Sequence, residues 1–186
     1  FSATDVEMSV DAFIGADFVV AQLEVPFEAI EQAFKIARKQ NITTVLNPAP
    51  AIELPKSLLE LTDIIIPNET EAELLTGISI NNESDMKETA TYFLDLGISA
   101  VLITLGEQGT YCAYQEQYKM IPACNVKAID TTAAGDTFIG AFLSELNKDL
   151  SNLESAIRLA NQASSLTVQR KGAQASIPTR KEVEAE

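Results

Sequence analysis

The sequence predicts an α/β fold in which a mostly parallel β-sheet is flanked by helices, and two observations carry this prediction. Short apolar runs typical of buried strands alternate with longer segments whose apolar residues recur at helical spacing. Several predicted strands also end in a polar residue or a turn, where ligands of parallel sheets bind. We therefore expect right-handed βαβ units in one globular domain.

The N-terminal half contains apolar runs with the length of buried strands: 17–24 (DFVVAQLE), 42–47 (ITTVLN) and 63–68 (DIIIPN). Helices are predicted at about 27–40, 56–61, 69–76 and 84–96. The first begins after Pro26, which suits the first turn of a helix, and the last two stop at Gly77 and Gly97. An acidic, helix-like stretch precedes the first strand.

The C-terminal half begins with a predicted strand at 100–106 (AVLITLG), and the runs 109–114 and 117–123 predict a hairpin. The segment NVKAID predicts a further strand that ends at Asp130. Helices are predicted at 137–146 and 151–169, where apolar residues again recur on one face.

Polar residues at the ends of parallel strands should lie along one edge of the sheet. In this sequence they are Glu24, Asn47, Asn68, Thr104 and Asp130.

The composition narrows the class of protein. The chain has 186 residues, 46% of them hydrophobic, which suits one globular domain with a sizeable core. Its 13 basic and 27 acidic residues give a net charge of -14, which disfavours nucleic-acid and membrane partners. A small anionic ligand remains compatible, because backbone amides at a helix end attract it locally. No apolar run reaches the roughly 18 residues that span a membrane, and we expect a cytoplasmic protein.

The chain contains no histidine and two cysteines, Cys112 and Cys124. Without histidine, acid–base chemistry falls to carboxylates, lysine or tyrosine. The cysteines lie in strand-like segments without metal-ligand spacing, so we expect reduced thiols in the core.

The stretch DTTAAGDTF, residues 130–138, places only small residues between two aspartates. One interpretation is structural, since a carboxylate such as Asp136 at a helix start stabilises the helix by about 0.5–2 kcal/mol. The other is chemical: small residues let phosphate oxygens approach the first amides of the helix, while Asp136 points at an attacking hydroxyl. The local sequence leaves both open.

The stretch PNETEAE offers a second pair of interpretations. Asn68 and Glu71 have the spacing of a capping box. They also follow a buried strand, and an amide with a carboxylate suits Mg²⁺ that keeps waters and phosphate oxygens as its other ligands. The glycines of TLGEQG, residues 104–109, suit a turn, and Glu24 suits a solvated strand end.

Together these segments resemble a known family. DTTAAGDTF is similar to the second signature of the ribokinase family of carbohydrate kinases, PNETEAELLTG to its NxxE magnesium motif, and TLGEQG to its nucleotide-binding strand and turn. QLEVP, LNPAP and RKGAQASIP resemble the ribokinase branch of that family. The resemblance extends along essentially the whole chain and implies a ribokinase-like fold with a Rossmann-like sheet, of which this chain holds a part.

The resemblance implies ATP-dependent phosphorylation of D-ribose at the 5-hydroxyl, with Asp136 as catalytic base. The anion hole would come from Ala133, Ala134 and Gly135. ATP would contact Asn68, Thr104, Gly106, Gly109 and Asn161; ribose would contact Glu24 and Asp136; Asn68 and Glu71 would organise Mg²⁺. An activating K⁺ would be held by Asp130, Thr132, Thr167, Arg170, Gly172 and Ser176, several through backbone carbonyls.

Family members also carry an upstream segment with a glycine-rich first signature, a sugar-binding aspartate and a β-strand lid, and nothing in residues 1–16 resembles it. The resemblance therefore implies that residues 1–186 are the nucleotide-binding C-terminal part of a single ribokinase-like domain. We expect a homodimer at full length, self-association of this chain, and no sugar transfer by this part alone. A fructokinase-like or other sugar kinase of the family, and a non-catalytic nucleotide-binding module, remain as alternatives.

Overall fold

The computed structural model describes residues 1–185. The strands in that range are β1 Phe18–Ala21, β2 Thr43–Leu46, β3 Ile64–Ile65, β4 Ala100–Thr104, β5 Gly109–Tyr114 and β6 Gln117–Pro122. The α-helices are α1 Ala3–Met8, α2 Phe27–Lys39, α3 Lys56–Glu60, α4 Glu69–Thr76, α5 Glu83–Asp95, α6 Ala134–Glu145, α7 Leu153–Thr167 and α8 Arg180–Glu184.

The described strands form a six-stranded sheet whose spatial order follows the chain, from β1 to β6. The pairs β1–β2, β2–β3 and β3–β4 are parallel, with Val20 opposite Val45 and Val45 opposite Ile64. Gln115 and Glu116 alone separate β5 from β6, so these neighbouring strands run antiparallel. The prediction of a mostly parallel sheet is confirmed.

The chain folds as two compact units. The first contains Phe1–Thr104 and Tyr111–Lys119, and the second contains Leu105–Thr110 and the chain from Met120 onward.

The core of the first unit is formed by apolar residues of α2 and of the strands beneath it. Helix α2 presents Ile30, Phe34 and Ala37 at helical spacing, and each is exposed by 2% or less. This helix packs on β1 and β2, whose neighbour β3 contributes the fully buried Ile64. β2 and β3 are almost wholly buried on both faces, which suits their apolar sequences, whereas β1 keeps Val20 exposed.

In the second unit, α6 and α7 pack against each other. Phe138 and Phe142 lie one turn apart on α6, with ring centroids separated by 6.2 Å, and both are buried. Ile157 and Ala160 supply the buried face of α7. This packing fixes the position of the first turn of α6, where the predicted catalytic residue lies.

The segment before α6 differs from its prediction. Residues 123–133 contain no helix or strand, so the expected strand ending at Asp130 is wrong. The amides of Ile129 and Asp130 instead donate to the carbonyl oxygen of Val168, at 2.7 and 3.1 Å. That partner lies far away in sequence, so the local pattern of NVKAID carries no information about it.

The cysteines differ from each other. Cys112 is buried in β5 as expected, but Cys124 is exposed and lies outside the strands, so its prediction as a core thiol is wrong. Within residues 1–185, neither cysteine takes part in a disulfide bond. Among residues 1–185, no helix has the length and apolar character needed to cross a membrane.

Candidate functional site

The start of α6 is built from small residues. Ala133 precedes the helix in the left-handed conformation, with φ 62°, and its side chain offers no cap to the helix amides. Gly135 is exposed, and nothing lies within 4 Å of the position that a Cβ atom would take there. The first turn of an α-helix leaves backbone amides without helical partners and carries a positive dipole end. This turn therefore offers an accessible site for an anion.

Asp136 is an exposed residue in the first turn of α6. The helix starts at Ala134, so Asp136 is not the residue that caps it. The purely structural interpretation of Asp136 as a cap is therefore not the arrangement found, although its carboxylate still lies close to the positive end of the helix dipole.

Asp130 connects the loop before α6 to the loop after α7. Its Oδ1 accepts hydrogen bonds from the amide (3.0 Å) and hydroxyl (2.7 Å) of Thr132, and its Oδ2 accepts one from the Gly172 amide at 3.0 Å. The Gly172 amide, followed by the Thr132 hydroxyl and amide, lowers the pKa of Asp130 to about 2. The carboxylate is therefore ionised at neutral pH, and it brings together three of the residues predicted to surround K⁺.

Two other predicted cation residues are buried in the second unit. The hydroxyl of Thr167 lies 3.1 Å from the carbonyl oxygen of Ala163, and the hydroxyl of Ser176 donates to the carbonyl oxygen of Ala173 at 2.6 Å. Their side-chain oxygens are thus held by backbone groups of the same unit.

Arg170, the remaining predicted cation residue, directs its side chain elsewhere. Its guanidinium donates to Oε1 of Glu182 on α8 at 2.6 Å. Sequence reasoning did not single out Glu182. The spacing of Thr179 and Glu182, which forms a capping box at the start of α8, is the signal that could have drawn attention to it.

Asn68, which lies between β3 and α4, is next to Thr104 at the end of β4 in the first unit. The two residues form an isolated parallel bridge, and the Thr104 amide donates to the carbonyl oxygen of Pro67 at 2.9 Å. The structure thus brings these two predicted nucleotide-binding residues together.

Asn68 and Glu71 form a capping box at the start of α4, which confirms the structural interpretation of this pair. The Asn68 side chain accepts from the Glu71 amide at 2.9 Å, and the Asn68 amide donates to Glu71 Oε2 at 2.8 Å. The Asn68 side-chain amide also donates to Oε1 at 2.9 Å. Burial raises the pKa of Glu71, while the Asn68 amide opposes that shift. Because each carboxylate oxygen accepts one bond here, each retains lone-pair capacity for water or a cation.

The two glycines of TLGEQG have different surroundings. Gly106 is exposed with φ 54°, and no atom lies within 4 Å of its missing Cβ position. Gly109 has φ 112°, and a Cβ there would collide with the carbonyl oxygen of Ile121 and lie 2.7 Å from the carbonyl carbon of Pro122. Only glycine fits at Gly109, whereas at Gly106 the conformation alone favours it.

Asn161 is buried in α7 and its side chain is engaged by protein groups. Its Oδ1 accepts from the hydroxyl of Thr110 at 2.8 Å, and its Nδ2 donates to the carbonyl oxygens of Ile121 at 3.1 Å and Pro122 at 3.2 Å. The residue therefore ties α7 to β5 and β6 within the second unit. No local pattern in the sequence predicts this structural role of Asn161.

Side-chain amides connect the carboxyl ends of β1, β2 and β3. Gln22 donates to Asn47 Oδ1 at 3.1 Å, and Asn47 Nδ2 donates to the carbonyl oxygen of Ile66 at 2.8 Å. β1 ends at Ala21, and Glu24 is an exposed loop residue beyond it. Glu24 thus lies beyond this edge of the sheet, while Gln22, which sequence reasoning passed over, contributes to the edge itself.

Comparison with known proteins finds similarity to carbohydrate kinases in both family profiles and individual sequences. The profile of the pfkB family carbohydrate kinase matches residues 6–180. A ribokinase of Staphylococcus aureus (strain COL) is 64% identical over 179 residues, which is 96% of this chain and 59% of that protein. A deoxyribokinase of Salmonella typhi is 34% identical over 179 residues, which is 96% of this chain and 58% of that protein.

Among solved structures, Arabidopsis thaliana ribokinase complexed with ribose and ATP has a TM-score of 0.90 and 31% identity. The likeness covers 96% of this chain and 58% of that one, so the ribokinase-like fold is confirmed. The chain spans about three fifths of the length of these relatives. Since the family profile extends over residues 6–180, the chain belongs to the pfkB family of carbohydrate kinases.

Proposed function

We propose that the full-length protein, of which this chain is a part, transfers the γ-phosphoryl group of ATP to the 5-hydroxyl of D-ribose. The observation that carries this proposal is the start of α6, where Ala133, Ala134 and Gly135 leave the first helix turn accessible and Asp136 follows at once. The 64% identity to a ribokinase supports ribose as the acceptor.

In this mechanism Asp136 accepts the proton of the attacking sugar hydroxyl. The amides of the first α6 turn stabilise the negative charge that builds on the transferred phosphoryl group. A backbone donor set needs no reorganisation during the reaction, because α6 is already fixed by packing against α7. Glu24 contacts the sugar in this proposal, on the strength of the family resemblance.

In this proposal, the nucleotide is bordered by five residues: Asn68, Thr104, Gly106, Gly109 and Asn161. For Asn161 the hydrogen bonds support an indirect role, since its side chain already holds Thr110 and the carbonyl groups of Ile121 and Pro122. It would shape the wall beside the adenine rather than bind the base through its own amide.

Asn68 and Glu71 would organise Mg²⁺, and an oxygen-only pair suits that ion. When bound with ATP, Mg²⁺ neutralises charge on the phosphates. Burial of Glu71 in the capping box supports a contact through ordered water or through the lone pairs that the box leaves available.

The loops joined by Asp130 would hold K⁺, whose usual protein ligands are carbonyl oxygens with added negative charge. The ionised Asp130 carboxylate, the Thr132 hydroxyl and the backbone around Gly172 fit that donor set. A cation here would add positive charge close to the start of α6 in the same unit. The full-length protein would be a cytoplasmic homodimer, and the present chain would self-associate.

A second candidate function is phosphorylation of a deoxysugar, which the 34% identity to a deoxyribokinase favours. The test is release of ADP by the protein in its natural length, measured with ribose, deoxyribose and fructose in turn. Fastest release with ribose is expected. Fastest release with another sugar would overturn ribose as the substrate. No ADP release with any of the three sugars, together with retained ATP binding, would favour a non-catalytic nucleotide-binding module.

A further inference from the structure

We propose that Glu182 of α8 is a positioning residue that holds the loop at 168–176 in the shape required to receive a monovalent cation. This inference rests on the proposed role of that loop in binding K⁺. It assigns to α8, which none of the predicted ligands occupies, a part in forming the site.

One side of the loop is anchored to the segment before α6. The carbonyl oxygen of Val168 accepts from the amides of Ile129 and Asp130, and the Gly172 amide donates to Asp130 Oδ2 at 3.0 Å. Between these anchors lies Arg170, whose amide donates to the carbonyl oxygen of Thr167 at 3.0 Å.

The other side is anchored to α8 through one ion pair. The Arg170 guanidinium donates to Oε1 of Glu182 at 2.6 Å. The other carboxylate oxygen, Oε2, accepts from the Thr179 amide at 2.7 Å and the Thr179 hydroxyl at 2.8 Å. The Thr179 amide and hydroxyl, followed by Arg170, lower the pKa of Glu182 to about 2, so the acceptor is ionised at neutral pH.

Contacts that do not involve Glu182 hold α8 in place. Val183 is buried against Ala163 and Leu166 of α7. Its carbonyl oxygen accepts from the Gln162 side chain at 2.7 Å, and Arg180 forms an ion pair with Glu145 of α6 at 2.8 Å. The position of α8 therefore does not depend on Glu182, and Glu182 connects the loop at 168–176 to this helix.

Fixing Arg170 restricts the peptide groups between Val168 and Gly172. Gly172 has φ 97°, a conformation that a flexible glycine leaves readily when its neighbours are free. A K⁺ site built from carbonyl oxygens depends on the direction of those groups. Loss of the ion pair should therefore weaken the preorganisation of the site without removing any ligand.

The variant that tests this is Glu182→Gln. Glutamine can still accept from the Thr179 amide, so the capping box is retained while the charge facing Arg170 is lost. Glu184→Gln is the matched control, because it makes the same change on the same helix at a residue that bonds to Arg180, at 2.6 Å, and not to the loop.

The first measurement is hydrogen exchange of the Ile129, Asp130 and Gly172 amides, followed by NMR in potassium-free buffer. We expect about two- to fivefold faster exchange in Glu182→Gln, the scale of a partly exposed ion pair, and no change in Glu184→Gln. Arg170→Gln combined with Glu182→Gln should exchange no faster than either single variant. Unchanged rates in Glu182→Gln would overturn the inference.

The second measurement is the potassium concentration that gives half of the maximal thermal stabilisation. It should rise about two- to fivefold in Glu182→Gln and stay unchanged in Glu184→Gln. The same value in wild type and Glu182→Gln would overturn the positioning role alone. A wild-type chain that potassium does not stabilise would overturn the proposed cation site, and the inference with it.

Discussion

At the first turn of α6, the role of Asp136 can be separated from that of the backbone around it. In the full-length protein, Asp136→Asn should lower the turnover number by roughly a hundredfold or more, because the proposed general base is lost. ATP affinity should change little, since the proposed anion hole consists of backbone amides. Steady-state kinetics and nucleotide binding check this, with the exposed Asp149→Asn as control. Near-normal turnover in Asp136→Asn would contradict the assignment.

Gly109 permits a second test on a single residue. Gly109→Ala should lower the free energy of unfolding by about 2–4 kcal/mol, because a Cβ would collide with Ile121 and φ 112° is unfavourable for alanine. Gly106→Ala is the control, since open space there leaves a cost of only about 1 kcal/mol from conformation. Urea unfolding measures the free energy of both variants. Equal losses of stability in the two would contradict the prediction, because they would show that the structure relieves the collision at Gly109.

Substitution of Thr89 on α5 should raise the stability of the folded chain. Among the buried side-chain polar atoms of the described residues, the hydroxyl oxygen of Thr89 is the one without a hydrogen-bond partner. Thr89→Val keeps the shape and should raise the free energy of unfolding by about 1 kcal/mol. Thr91→Val, on the same helix, removes a hydroxyl that donates to the Lys87 carbonyl at 2.8 Å and should give no such gain. A less stable Thr89→Val would indicate that the hydroxyl has a partner.

Between elements, the pairing of the loops before α6 and after α7 should depend on pH. The pKa of Asp130 is about 2 in the folded chain, below its ordinary value of 3.8. A lowered pKa means that the carboxylate stabilises the fold above about pH 4, and that this contribution is lost as pH falls through about 2. In potassium-free buffer, the stability difference between wild type and Asp130→Asn should therefore shrink over that interval. A difference independent of pH would contradict the predicted linkage.

Elements with local signals could be predicted from sequence, and those with distant partners could not. The bounds of α4, Glu69–Thr76, follow from the Asn68 cap and the left-handed Gly77, which both lie next to the helix. The strand predicted before Asp130 is absent, because the amides of Ile129 and Asp130 bond to the distant carbonyl oxygen of Val168. For the same reason, the sequence does not predict the hydrogen bonds that join Asn161 to Thr110 and Glu182 to Arg170, which lie 51 and 12 residues away. Residue types at the candidate site and the local Asn68–Glu71 capping box were therefore predictable, but the contacts between distant segments were not.

At the scale of the whole molecule, exposed apolar groups favour association of this chain with a second copy. Phe1, Met8 and Ile14 are each more than 70% exposed, and Val20 is 43% exposed on β1, which is the first strand in the order of the described sheet. Light scattering should show a mass above that of a monomer, rising with concentration. A combined Met8→Glu and Ile14→Glu variant should reduce it, while Leu74→Glu should not. A monodisperse wild-type monomer would refute this expectation.

The order of the strands bears on how the chain reaches its fold. Each strand from β2 to β6 pairs with the strand made immediately before it. A ribosome releases the chain from the N-terminus, so every new strand finds its neighbour already synthesised and separated by only one connecting segment. Contact order stays low for a parallel sheet, whose pairings usually close long loops. The sheet can therefore extend by one strand at a time during translation, without waiting for the C-terminal residues to emerge.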